Sequence, residues 1–303
     1  MRTSSGGGPP GGGGICAANQ RGDRKNQRTL YLQPASPTKI ERLKRRDRSP
    51  ILFGILALCA SAPFALAQDN YEIQVYGSET VAPGNAMVEL HSNFTFKGEK
   101  DSVDGLQPTE HAFHETLEIT WGLTPWFETG VYVFTSARSG EGWQWVGDHL
   151  RPRVRAPESW HWPVGVSLST EFGYQRRSYS QDTWTWEIRP IVDKQWGPWY
   201  VSVNPALEKA VHGANASRGF ELAPNLKISY DATRTVTVGM EYYGVLGPLA
   251  RFDSTRDQQH QIVPSLDLNL SPAWELNFGA AFGLTRSTDR FLLKMIIGRR
   301  FSL

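Results

Sequence analysis

Beyond residue 85 the chain alternates apolar and polar positions in run after run, with turn residues between the runs. The stretch Glu110–Ser136 shows the unit most clearly. Phe113, Leu117, Ile119 and Trp121 share one parity, and His114, Thr116, Glu118 and Thr120 share the other. After Gly122-Leu-Thr-Pro125, Phe127, Val131 and Val133 oppose Glu128, Gly130 and Tyr132. Successive residues of a strand point to opposite faces, so this pattern predicts a hairpin with one apolar and one polar face. Similar runs are expected at 86–97, 146–156, 164–174, 184–193, 201–208, 220–230, 236–242, 262–270, 274–283 and 290–301, which makes twelve strands.

The predicted connections alternate in length. The stretches 98–109, 137–145, 175–182, 209–218 and 245–258 are long. Those at 122–125, 157–163, 195–198, 231–234 and 271–273 are short, and 286–289 breaks the rule. Trp121, Trp126, Trp160, Trp162, Trp196, Trp199 and Trp274 gather at the short turns, while Trp143, Trp145, Trp184 and Trp186 would form the opposite rim. Short turns alternating with longer loops, an even strand count and aromatic girdles at both edges of an apolar band are the marks of an outer-membrane barrel. A soluble β-sandwich also alternates, but it needs no membrane-wide apolar band on every strand. The expected fold is all-β, a transmembrane antiparallel β-barrel of twelve strands, in a bacterial outer membrane.

Composition divides the chain. Of 32 Lys and Arg and 30 Asp and Glu, residues 1–67 hold eleven basic and three acidic groups, leaving 21 and 27 for the rest. The acidic body argues against a nucleic-acid partner. Mean hydropathy of −0.40 excludes a bundle of membrane helices. In residues 1–67 a low-complexity, basic stretch precedes the apolar run Ile51–Leu66 and the small-residue signal Ala65-Leu66-Ala67, a secretory signal peptide cut after Ala67. The odd leading residues suggest translation from near Leu43. Both cysteines, Cys16 and Cys59, lie in this leader, so the body has no disulfide or thiolate chemistry. Residues 68–85 read as a periplasmic lead-in, and residues 86–303 as the barrel.

The segment Glu118-Ile-Thr-Trp-Gly-Leu-Thr-Pro-Trp-Phe-Glu-Thr-Gly130 resembles the first periplasmic turn of a bacterial outer-membrane transporter family, the MetA-pathway phenol-degradation type. The basic run from Gly147-Asp148 through Arg151-Pro-Arg-Val-Arg155 is similar too. The resemblance implies a barrel of about this size that passes small, often apolar or aromatic compounds, and it carries over no functional residue. The ending Phe301-Ser302-Leu303 departs from the terminal aromatic usual in such barrels.

The polar face collects charges. Arg151, Arg153 and Arg155 on the fourth strand are expected to form a cross-strand ladder with Glu128 on the third and Glu171 on the fifth. Glu118, Glu187 and Arg189 add to a lumen lining that would filter solutes, although paired charges also simply fill a narrow wet lumen. A rim hydrolase would need a Ser–His constellation. His111, His114 and His212 with Asn215 and Ser217 show no diagnostic spacing. His91 with Glu89 offers two metal ligands, too few for a site. No catalytic, cofactor or metal residue is assigned. The expected function is passive passage of small molecules, with membrane lipid, the barrel assembly machinery and a small solute as partners. A rim-active hydrolase and a non-conducting receptor or anchor are the alternatives.

Overall fold

The computed structural model describes residues 70–303. The leader, its cleavage point and the alternative translation start lie outside the described residues. Twelve antiparallel strands cross the barrel: β1 (Asn85–Lys97), β2 (Phe113–Thr124), β3 (Phe127–Arg138), β4 (Gly142–Arg155), β5 (Gly165–Gln175), β6 (Asp182–Trp196), β7 (Trp199–Gly213), β8 (Phe220–Asp231), β9 (Val236–Val245), β11 (Gln259–Leu268), β12 (Trp274–Gly283) and β13 (Phe291–Ser302). A two-residue strand, β10 (Gly247–Pro248), only pairs with the end of β8.

Each strand pairs with its neighbours in sequence, β8 pairs β9, and β13 returns to pair β1, so the sheet closes on itself. Closure leaves no unpaired edge. That is the condition for a sheet to sit in lipid, where no water can satisfy an open N–H or C=O.

The alternation sorts side chains as expected. His114, Thr116, Glu118 and Thr120 of β2 are buried inside, while Leu117 faces out. Leu90, Leu150, Leu168, Phe172, Val203, Ile228, Met240 and Leu293 stand exposed around the outside. Rings close both edges of this band. At the loop end Phe96 packs on Phe291, and Trp184 lies between Phe172 and Tyr174. At the turn end Trp160 meets Trp162, Trp199 meets Tyr230, and the Arg299 guanidinium lies over Trp274 and Phe301.

Two expected loops are shorter than the pattern implied. The stretch 137–145 shrinks to 139–141, because β3 runs to Arg138 and β4 starts at Gly142. A bulge between Phe134 and Thr135 shifts the β3–β4 register, and this break in phase made Trp143 and Trp145 read as loop. Likewise β7 continues to Gly213, beyond the expected boundary at 208.

The largest departure concerns residues 68–85, read from sequence as a lead-in outside the barrel. Residues 70–84 instead lie in the lumen. They form no ladder, and the barrel wall satisfies their backbone. Thr116 Oγ1 donates to the Tyr71 carbonyl at 2.7 Å, Lys294 Nζ to that of Ile73 at 2.9 Å, and Ser202 Oγ to that of Tyr76 at 2.6 Å. The Tyr76, Ser78 and Val81 N–H groups donate to Asn204, Asp193 and Glu128. At the loop end Asn70 Nδ2 donates to Asp289 at 2.5 Å, and at the turn end the Gly84 N–H donates to the Gly122 carbonyl at 3.1 Å. The segment therefore runs the depth of the lumen before β1 begins. We call it the strap.

Candidate functional site in the lumen

The strap gives the lumen two apolar clusters. Tyr71 packs with Tyr132, Phe134 and Val146, and Ile73 and Val75 pack with Tyr243, Val263, Ala281 and Leu292. All these wall residues occupy the polar parity of their strands except Val146, which the bulge in β4 turns inward. A water-filled pore would have no use for them there, but an extended peptide lying across them does, since burial of each large apolar side chain contributes about 1.5–3 kcal/mol.

Between the clusters sits a charged knot. Arg151 on β4 reaches past β3 to Glu118 on β2, and its Nη1 lies 3.1 Å from Glu128 on β3. Its Nη2 also donates to Thr120 at 3.0 Å. This crossing depends on Gly130, which the ladder places between Thr120 and Arg151. A Cβ there would lie 2.7 Å from Thr120 Oγ1 and 3.3 Å from the Arg151 guanidinium. Arg153 Nε meets Glu128 at 2.7 Å, and its Nη groups donate to the strap carbonyls of Gly77 and Glu79.

Tyr76 of the strap is the centre of the knot. The guanidinium groups of Arg151, Arg153 and Arg189 lie 5.3, 5.7 and 5.1 Å from its ring centre. Its hydroxyl donates to Glu72 and lies 3.0 Å from the Tyr132 hydroxyl. Arg189 in turn holds Glu187 at 2.7 Å and Glu72 at 3.4 Å.

The expected ladder is thus partly formed. Arg151, Arg153, Glu128 and Glu118 come together, and Arg189 joins Glu187. Glu171 takes a different partner, the Nδ1 of His149 at 2.5 Å. Arg151 turns toward the open space over Gly130, and the His149 ring crosses Gly173 to reach Glu171. Arg155 leaves the knot altogether. It is near the strand end and pairs with Glu158 of the following turn at 3.2 Å.

Two groupings of inward-facing charges were not expected from the sequence. The first is a second knot, in which Lys294 lies 2.5 Å from Glu241, and Lys227 lies 3.4 Å from Glu241 and 2.8 Å from Asp267. The second is a row of like charges. Glu171 is opposite Glu187, Glu187 opposite Glu208, and Glu208 opposite Glu221, one glutamate on each of four adjacent strands. All four line a vestibule of about 720 Å³ at the loop end, whose lining holds ten Asp and Glu against five Lys and Arg. A second vestibule of about 1410 Å³ opens at the turn end and is lined by Gln74, Glu79, Glu89, Arg153 and Arg300 among others. The two share no lining residue, and the strap contributes to both.

The rim histidines take up local structural roles. His114 is buried edge-on against Tyr71, His212 Nδ1 lies 2.7 Å from Thr183 Oγ1, and Asn215 bonds Asp182.

A closed, lipid-banded ring of twelve antiparallel strands is the fold of an outer-membrane β-barrel, and the chain is an integral membrane protein of that architecture. An outer-membrane channel from Pseudomonas putida F1 superposes on 76% of this chain and 100% of its own, with a TM-score of 0.51 and 12% identity. The NanC porin aligns over 71% of this chain and all of its own, at a TM-score of 0.46 and 9% identity. A KdgM porin solved with oligogalacturonate aligns over 72% and 99%, at 0.43 and 11%. At these identities the likeness is one of fold. No family model matches the chain, and none of the curated proteins does.

Proposed function

We propose that this protein is an outer-membrane channel for small molecules whose lumen is closed at rest by its own strap, residues 70–84. The observation that carries this reading is the division of a membrane-spanning lumen into two vestibules by a segment that belongs to neither wall nor ladder. The strap is held by side-chain contacts, which break one at a time, whereas the barrel is held by continuous ladders. Displacing the strap opens a route while the barrel stays intact.

The glutamate row gives the route a preference. Arg189 and Arg218 pair with Glu187 and Glu221, but the ten-to-five excess of acidic over basic residues around this vestibule favours cationic solutes at the entrance over anionic ones. The family resemblance points to small, often apolar or aromatic compounds, and an aromatic solute carrying a positive charge suits both features.

The test is single-channel conductance of the purified protein in a planar bilayer, comparing wild type with Tyr76→Ala. The variant loses three guanidinium–ring contacts of about 0.5–1 kcal/mol each. It also loses the hydroxyl contact to Tyr132 of the wall, worth about 0.5–1.5 kcal/mol. Together these shift the closed–open balance by roughly 2–4.5 kcal/mol, or about one and a half to three decades in open probability. Equal opening by both proteins refutes the strap as gate. A folded barrel that conducts in neither form returns the weight to a receptor, an anchor or a rim enzyme.

A further inference from the structure

We propose that Glu89, His91 and Glu118 form a binding site for one divalent transition-metal ion in the barrel wall, loaded from the turn-end vestibule. His91 and Glu89 alone were two ligands on one strand. The β1–β2 register supplies the third by placing Glu118 directly opposite Glu89, with His91 two residues further along the same inward face.

One ligand atom from each of the three lies within 4.8 Å of the others, and all three residues are buried. His91 Nε2 stands 3.5 Å from Glu118 Oε2. That separation is long for a hydrogen bond. It is close to the spacing of about 3.3 Å that two ligands take at the corners of a tetrahedron with metal bonds of about 2.0–2.1 Å.

The unsatisfied valences point the same way. Neither ring nitrogen of His91 makes a hydrogen bond, although the residue is fully buried, and Glu118 Oε2 meets only the long contact with His91 Nε2. Buried polar atoms normally find a partner, so three such atoms together need an explanation. Glu118 presents its other oxygen to Arg151 and Thr120, a neighbouring contact of the kind that fixes a ligating carboxylate.

Charge balance also favours a cation. Glu89 and Glu118 are like charges directly opposite each other, and Arg151 is already shared between Glu118 and Glu128. Among the described residues Glu89 has no cationic partner within salt-bridge distance. A shared proton relieves this repulsion only in part and leaves the imidazole unsatisfied, whereas a divalent ion satisfies all three groups. One imidazole and two carboxylates suit a borderline ion such as Zn²⁺ or Co²⁺ and are too nitrogen-rich and too few for Ca²⁺. Glu89 lines the turn-end vestibule, which supplies the entry path. No step of conduction is needed for this site to bind.

The experiment uses protein purified from outer membranes of cells expressing the whole chain, stripped with chelator and titrated with Co²⁺. The expected result is one equivalent bound, with the intense visible bands of low-coordinate Co²⁺, displaced by Zn²⁺. Affinity should fall at least about tenfold in His91→Gln and in Glu89→Gln, and hold in Glu275→Gln, which removes a nearby carboxylate outside the triad. Heat-modifiable gel mobility reports whether each variant is folded. Nitrogen couplings from a bound imidazole in the electron spin resonance of the Cu²⁺-loaded wild type read histidine ligation without any variant. No saturable binding by wild type, binding without imidazole coupling, or a folded His91→Gln variant that binds as tightly as wild type would each overturn the proposal.

Discussion

Arg151→Met removes a cation that bridges β2, β3 and β4 inside the lumen. The substitution keeps an unbranched stem that reaches to about the Nε position and deletes contacts to Glu118, to Glu128 at 3.1 Å and to Thr120 at 3.0 Å. Glu128 is little affected, because Arg153 remains 2.7 Å away and the Val81 N–H still donates at 2.6 Å. Glu118 is left with Thr120 at 2.7 Å and the longer His91 contact at 3.5 Å. Removing one member of a buried ion pair costs about 3–5 kcal/mol, largely the penalty of the stranded charge. If that is the mechanism, neutralising the stranded carboxylate must recover much of the loss. The double variant Arg151→Met/Glu118→Gln should be more stable than Arg151→Met alone, with a coupling energy of about 2–3 kcal/mol across the cycle. The assay is denaturant unfolding in lipid vesicles followed by tryptophan fluorescence, wild type and the three variants in parallel. A loss below about 1 kcal/mol for Arg151→Met, or additivity within about 0.5 kcal/mol, would show that water already solvates these carboxylates and would refute the knot as a buried unit.

Two further predictions concern the loop end. Asp289, in the loop between β12 and β13, is pushed above the usual aspartate range by burial, partly offset by hydrogen bonds from Thr109 and Asn70. A carboxyl with a raised folded-state value contributes stability while protonated and loses that contribution as pH rises through the raised value. Wild type should therefore lose thermal stability relative to Asp289→Asn as pH climbs from the acid side, and a difference that does not change with pH would contradict this. Glu187→Gln and Glu208→Gln together should lower cation-over-anion selectivity in reversal-potential measurements under a salt gradient, most at low ionic strength. Unchanged reversal potentials would remove the glutamate row from the route.

The barrel was legible because its determinants are local and repeated. Leu117, Ile119 and Trp121 against Thr116, Glu118 and Thr120 specify both a strand and its two faces, and twelve such runs leave little freedom in topology. The knot was half legible. Parity places Glu128, Arg151 and Arg153 inside, but it does not say which way a long side chain turns, and that was decided by the missing side chain at Gly130. Arg155 and Glu171 found other partners for the same reason, a turn residue in one case and His149 in the other. The strap was hidden because its backbone bonds go to side chains scattered over the wall, which leaves no periodicity in residues 70–84. Its trace lay elsewhere in the sequence, in apolar residues at lumen parity. Phe134, Val263, Ala281 and Leu292 are wrong for a wet pore and right for a wall with a peptide against it. The glutamate row and the Glu89–His91–Glu118 triad depend on register between strands, which no single run encodes.

The most direct test of the strap is to tie it down reversibly. A Cβ built on Gly165 of β5 lies 3.2 Å from the Ser78 Cβ, a few tenths of an ångström below the usual disulfide range of about 3.5–4.5 Å, and 2.1 Å from Asp193 Oδ1, which must turn aside. The body carries no cysteine of its own, so Ser78→Cys/Gly165→Cys creates a single defined pair. Single-channel recording of this variant should show no openings when oxidised and recovery to wild-type openings when reductant is added. Oxidised protein, shown by mass spectrometry to be cross-linked, that opens as often and as widely as reduced protein would contradict the account. Solute would then pass with the strap in place.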